Sequence, residues 1–234
     1  MKISILTISP EEFSGLDHDH VIDRAVKTGQ LTLDIVDIRS FADGCFRKVD
    51  DSPYGGGAGM IMRITPVMNA VRRVRKENED TCVIALSPTG KRYDQKTAGA
   101  LKNYEHLIII CGHYEGLDER IYEHADRIIS MGDYILSGGE IAAMAIADSV
   151  ARLLPGVIRE SSLAEESFTD GLLEYPQYTK PADYEGQKVP EVLLSGNHEA
   201  IRAWRREQAQ TRTRRHRPDL LSEQITGEER WQKY

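Results

Sequence analysis

The chain of 234 residues is poor in cysteine, tryptophan and phenylalanine, and it has no long apolar run. Its three cysteines, Cys45, Cys82 and Cys111, form no CxxC pair and no even-numbered framework. That excludes a disulfide-stapled scaffold and a cysteine-rich zinc shell, and it predicts reduced thiols in a cytoplasm. The longest uninterrupted apolar stretch, residues 141–147, is seven residues long, far below the ~18 that a membrane-spanning helix needs. The apolar stretch after Met1-Lys2 is also too short for a secretory signal before Pro10-Glu11-Glu12 interrupts it. Internal repeats and low-complexity tracts are missing, as are a G-x-S-x-G elbow and the Gly-Lys-Ser/Thr of a P-loop, so neither serine hydrolase nor NTPase chemistry is supported. What is there, 40% hydrophobic and 29% charged residues, describes an ordinary globular protein long enough for one large domain and a small appendage.

Charge is unevenly spread. Residues 199–217 hold seven arginines (202, 205, 206, 212, 214, 215, 217) against Glu199 and Glu207, a balance of +5; with −7 for the whole chain, the remainder carries −12. One dense basic segment on an acidic protein is a candidate for contact with a polyanion, and a solvated helical face explains the same charges.

The first 150 residues alternate strand-like and helix-like segments, an α/β pattern. Residues 2–8 and 31–38 alternate polar and apolar positions as strands do. Residues 81–86 and 106–111 are continuous apolar runs of the kind found in central parallel strands, and 127–131 is a further short candidate. Residues 21–28 read as a helix with Gly29 placed to cap it, and Pro66 opens a second helix with Val67, Val71 and Val74 at helical spacing. Residues 140–154 read as a largely buried helix stopped by Pro155-Gly156. Beyond residue 157 charged, Ser and Pro residues dominate. The expected organisation is an α/β domain over 1–158, a flexible linker over 159–172 and a helical domain over 173–234, with Ile201 and Trp204 on one face of its main helix.

Three glycine-containing loops carry the chemical signal. In PYGGGAGM, Gly55, Gly56, Gly57 and Gly59 open the backbone to close ligand approach. CGHYEGLDER and MGDYILSGGE each follow a predicted strand, where open α/β folds bind ligands. No metal site is expected: His18-Asp19-His20 reads as a polar loop, and His113 and His124 are too scattered for a transition-metal shell. From the residues alone, a small-molecule pocket and a non-catalytic RNA-binding protein both stay open.

These motifs, with ESFTDGLLEYPQYTKP and VPEVLLSGNH downstream, resemble the bacterial tRNA (guanine-N1)-methyltransferases of the SPOUT class, from Met1 to about Leu221 and in consistent order. The resemblance implies a SPOUT-type α/β domain with a deep trefoil knot, a small helical C-terminal domain, and a cytoplasmic homodimer acting on tRNA, not on DNA. It implies methyl transfer from S-adenosylmethionine to N1 of the guanosine at position 37, next to the anticodon. An rRNA substrate would require only a different second domain. Carried over by motif, the cofactor-binding residues are Pro88, Gly112, Tyr114, Glu115, Gly116, Met131, Gly132, Asp133, Tyr134, Ile135 and Leu136. The resemblance also suggests a magnesium requirement, with Glu115 as a neighbour of the ion. Arg152 matches a family arginine that would hold charge developing on the base. Glu166 stands where the family usually has Asp before Ser-Phe and is the expected general base, with Asp170 as rival. Gly55, Gly56, Gly57 and Gly59, with Arg212, Arg214 and Arg215, are the expected tRNA contacts.

Overall fold

A computed structural model describes residues 1–223. It divides into two compact units, Met1–Ile158 and the residues from Arg159 onward.

The first unit contains β1 (Lys2–Thr7), α1 (His20–Lys27), β2 (Thr32–Asp37), the short pair β3 (Asp50–Asp51) and β4 (Ile61–Met62), α2 (Ile64–Val74), β5 (Thr81–Arg92), α3 (Gln95–Leu101), β6 (His106–Ile110), β7 (Arg127–Ser130) and α4 (Glu140–Ala151). Five strands form one parallel sheet in the order β2-β1-β6-β5-β7, with Ile5 in register with both Ile35 and Ile109, and Ile84 with Ile109. Side chains alternate across it. Ile3, Ile5, Cys82, Ile84, Leu107 and Ile109 pack on one face with residues of α1, α3 and α4, whereas Leu6, Val83, Ala85, Ile108 and Ile110 pack on the other with α2. Coverage on both faces is why β5 and β6 read as continuous apolar runs.

Several boundaries differ from the sequence expectation. The second helix opens at Ile64, not Pro66; Pro66 is its third residue, where the N–H has no intrahelical acceptor in any case, so proline is tolerated. The buried helix ends at Ala151, short of residue 154, because Leu153 N–H and Leu154 N–H turn back to the carbonyls of Val150 and Ala151 and tighten the last turn. β5 runs to Arg92, well past residue 86. Both Leu86 and Lys91 register on Ile129, so residues 87–90 leave the ladder as a loop at the sheet's carboxyl edge. The helix α3 was not expected; its signal was Asp94, whose carboxylate accepts from Thr97 N–H at 2.7 Å as an N-cap.

The second unit holds α5 (Glu160–Leu163), the hairpin β8 (Asp183–Tyr184) and β9 (Gln187–Lys188), α6 (Glu191–Leu194), α7 (His198–His216) and α8 (Asp219–Glu223). The side chain of Asn197 caps α7 by accepting from Glu199 and Ala200 N–H. Ala209 and Thr213 are buried on its inner face, where Thr213 Oγ1 accepts from Leu173 N–H at 2.8 Å. Within residues 159–172, Thr169 Oγ1 donates to the Leu163 carbonyl and Phe168 N–H to the Leu172 carbonyl. The last stretch of the expected helical domain, residues 224–234, lies outside the described residues.

Candidate functional site

Three loops meet at the carboxyl end of the parallel sheet, one each after β6 and β7 and one inside β5. The loop after β6 carries Gly112, His113, Tyr114, Glu115 and Gly116 and turns sharply: Tyr114 has φ +59° and Gly116 N–H bonds back to the His113 carbonyl. The loop after β7 carries Met131 to Gly139 and comes back across it. His113 and Gly138 form an antiparallel bridge, and Gly139 N–H donates to the Gly112 carbonyl at 2.8 Å. At Gly139 a Cβ would stand 2.8 Å from Cys111 Cα and 3.0 Å from Gly112 N, so the crossing itself demands glycine. The third loop, residues 87–90, contains Pro88 and is braced by a Ser87–Thr89 hydroxyl pair at 2.9 Å. Gly112 faces it, since a Cβ there would lie 3.4 Å from the Leu86 carbonyl oxygen.

The PYGGGAGM loop joins the same place. Glu115 N–H donates to the Met60 carbonyl and Met62 N–H to the Gly116 carbonyl. Gly59, at φ +78°, lies so close to Glu115 that a Cβ would collide with its side chain. Glu115 therefore links the loop expected to meet RNA to the loop expected to meet the cofactor. Gly55, Gly56 and Gly57 are exposed beside a fully exposed Tyr54. In the loop after β7, Gly132 N–H donates to Ser130 Oγ and Tyr134 N–H to the Gly132 carbonyl. Tyr134 and Ile135 are left exposed, Ile135 by 81%. Asp133 is exposed on this loop and Leu136 half-buried.

Beside these loops a cavity of about 190 Å³ is lined by Glu12, His113, Leu136, Glu140 and their neighbours. Glu140 is 2% exposed and accepts from Thr7 Oγ1 at 2.8 Å. Ligand-type atoms of Glu12, His113 and Glu140 lie within 4.8 Å of one another, a grouping that sequence spacing hid because its members come from three distant segments. Tyr114 N–H donates to His113 Nδ1 at 3.0 Å, which leaves the ring proton on Nε2. In this arrangement His113 offers the carboxylates a donor and not a metal-binding lone pair. The nearby thiol of Cys111 is pushed well above its ordinary pKa by burial, and burial raises that of Cys82 to about 11, so neither is poised as a nucleophile.

Arg152 is the C-cap residue of α4, half-buried, with its N–H on the Asp148 carbonyl. Burial raises the pKa of Asp148, and the charge of Arg152 opposes that rise.

Within the second unit, Glu166 and Asp170 both line a cavity of about 740 Å³ whose other wall is α7. The expected arginines part company here. Arg214 lines the cavity, whereas Arg212 donates to the Glu174 carbonyl at 3.5 Å and Arg215 is exposed on another side of the helix. Arg202, Arg205 and Arg206, which the sequence assigns only to the general basic charge, all line the cavity. Arg205 falls on the inner face with Ile201 and Trp204, not among the outward arginines. The 3–4-residue spacing from Ile201 to Ala209 was the available signal. Tyr175 is the other missed residue. Its O–H donates to Glu165 Oε2 at 2.5 Å, and burial first, then that bond, push its pKa up to about 12.

The sequence profile of the family described as tRNA (guanine-1)-methyltransferase TrmD matches residues 1–223. The chain is similar to proteins named tRNA (guanine-N(1)-)-methyltransferase from three bacteria. It is 51% identical to that of Clostridium botulinum over 230 residues, covering 98% of this chain and 96% of the relative. It is 51% identical to that of Geobacillus kaustophilus over 225 residues (95% and 92%), and 50% identical to that of Listeria monocytogenes over 225 residues (94% and 92%). A parallel α/β sheet with convergent glycine loops at its carboxyl edge, matched over almost the whole length by sequences of one kind, thus places the chain in the tRNA (guanine-1)-methyltransferase family.

Proposed function

We infer that the chain transfers a methyl group from S-adenosylmethionine to N1 of guanosine 37 of tRNA, acting as a cytoplasmic homodimer. The observation that carries this reading, beside the family match, is the meeting of the loops at 87–90, 112–116 and 131–139 at one end of a parallel sheet. These residues fit the methyl donor. The glycines let a ligand come close to the backbone, and Tyr134 and Ile135 offer apolar surface next to them. The crossing of Gly139 over Gly112 is where we place the deep trefoil knot. When bound, the donor supplies an electrophilic methyl on a sulfonium sulfur.

The protein's own work is alignment and activation of N1. Guanine N1 is protonated at neutral pH and becomes nucleophilic only on losing that proton, so a carboxylate must accept it; Glu166 takes this role, with Asp170 as the rival. Negative charge then spreads toward O6, and Arg152 is the cation assigned to hold it. Tyr114, Gly112, Gly116 and the run from Met131 to Leu136 would orient the donor, chiefly through backbone groups, with Pro88 as a further cofactor-loop position. Glu115 would stand near the magnesium that the resemblance suggests. The 55–59 loop and Arg212, Arg214 and Arg215 engage the tRNA, the glycine loop beside a target base turned out of its stack.

The deciding experiment incubates the chain with labelled S-adenosylmethionine and tRNA transcripts carrying G or A at position 37. Label should appear in the G37 transcript alone. Label in neither would leave the rival reading, an RNA-binding protein without catalysis; label in rRNA but not tRNA would move the substrate.

A further inference from the structure

The side chains around Arg205 form an anion site that is half filled. Arg205 lies on the inner face of α7, its guanidinium 4.6 Å from the centre of the Tyr175 ring, which fixes the plane of the fork. Its anionic partner is Glu165, reached through Nη1 at 3.3 Å, long for a charge-assisted bond, where about 2.7–2.9 Å is usual. Arg205 Nε is buried and has no acceptor among the described residues. A guanidinium normally grips an anion through two parallel N–H groups, and here one edge is loosely occupied and the other empty. The same carboxylate oxygen, Glu165 Oε2, also accepts from the Tyr175 O–H.

The wider cavity shows the same pattern. The four arginines that α7 lends to it are matched by four carboxylates from the 165–174 segment, so the site carries no net charge while that segment lies in it. Carboxylates so placed act as internal counter-ions for guanidinium groups, whose two-point fork grips carboxylate and phosphate alike.

We propose that Arg205 is a binding site for a backbone phosphate of the RNA substrate, that Glu165 is its resident competitor, and that an arriving phosphate displaces Glu165 and so releases the segment carrying Glu166. The phosphate takes both edges of the fork, Nε and Nη, and Tyr175 keeps its stacking on the guanidinium while its O–H gives up Glu165. RNA arrival and the freeing of the residue next to Glu165 become one event. This rests on the tRNA-methyltransferase reading above.

The test is a double-mutant cycle on the full chain, with tRNA dissociation constants measured at several salt concentrations. Glu165→Gln, which removes the competitor, should tighten tRNA binding by about two- to fivefold, the range set by partly exposed ion pairs. In the Arg205→Gln background the same substitution should have no effect, and Arg205→Gln itself should lower the salt slope by about one. Arg205→Lys should weaken binding while keeping the slope, because the charge stays and the fork is gone. Methyl-donor affinity on the same samples reports that the first unit is intact. An equal gain from Glu165→Gln with and without Arg205 would overturn the proposal, since the effect would then be general charge. So would wild-type affinity in Arg205→Lys. Repeating the cycle with inorganic phosphate in place of tRNA should give no saturable binding in the millimolar range; coupling seen with the free ion and not with tRNA makes it a site for the ion and overturns the RNA assignment. If the wild-type chain binds no tRNA, the parent reading fails and this site fails with it, whereas failure of the cycle alone leaves tRNA methylation standing.

Discussion

His106 is wholly buried, with Ser4 Oγ 2.9 Å from Nε2 and Glu79 Oε2 2.9 Å from Nδ1. An ionised carboxylate only accepts, so Nδ1 carries the proton and Nε2 accepts from the Ser4 hydroxyl. The order Ser–His–Glu is that of a hydrolase triad, but Ser4 has no exposed surface, so the set is structural. Burial lowers the His106 pKa, and Glu79 only partly opposes it. The folded state thus keeps the ring neutral where the unfolded chain protonates it, near 6.5. Its contribution to stability is complete above about pH 6.5 and declines as pH falls below that value. Urea midpoints should decline more steeply below pH 6.5 for the wild type than for His106→Gln; parallel curves would disprove the linkage. Glu166 gives the second prediction at this scale. Glu166→Gln keeps size and hydrogen bonding but loses basicity, so single-turnover methyl transfer should fall by roughly 10²–10⁴ with tRNA affinity little changed. Glu166→Asp should retain substantial activity and Asp170→Asn should be milder. Loss of transfer in Asp170→Asn with near-normal Glu166→Gln would hand the role to Asp170.

Elements decide how far these residues can act. The loops after β6 and β7 are held by one backbone bond and one close crossing, and the two glycines at that crossing answer to different constraints. At Gly112 a Cβ would meet Leu86 O at 3.4 Å and Leu117 Cγ at 3.6 Å, ordinary contacts. Gly112→Ala should therefore fold with stability within about 1 kcal/mol of the wild type, and at the proposed cofactor site its added methyl should weaken S-adenosylmethionine binding. At Gly139 the Cβ meets main-chain atoms that cannot turn aside, and Gly139→Ala should lose about 1–3 kcal/mol. Calorimetry and thermal melts separate the two. Unchanged cofactor affinity in Gly112→Ala would mean that the pocket lies elsewhere.

At the scale of the molecule, the first unit buries a parallel sheet on both faces, and the second carries the dense basic charge on its longest helix. Among the described residues no helix is long and apolar enough to cross a membrane. Replacing Arg212, Arg214 and Arg215 together by Gln should weaken tRNA binding and reduce its salt slope by about one for each phosphate that is no longer neutralised, without altering cofactor affinity. A slope identical to the wild type would return these arginines to the role of a solvated face.

The strands β1, β2, β5, β6 and β7, the helices α1 and α4 and the glycine loops were legible in the amino-acid order, because hydrophobic periodicity and glycine density are local properties of a chain. So was the basic stretch of α7. What only tertiary structure decided are contacts between residues far apart in sequence: Gly139 against Cys111, Glu115 against Gly59, Glu12 and His113 beside Glu140, and Arg205 against Tyr175 and Glu165. A local pattern shows that a glycine or an arginine is present. Which atom it must avoid or hold depends on where the sheet order and the helix face bring the distant partner, and that depends on packing the two sides of the sheet and the inner face of α7.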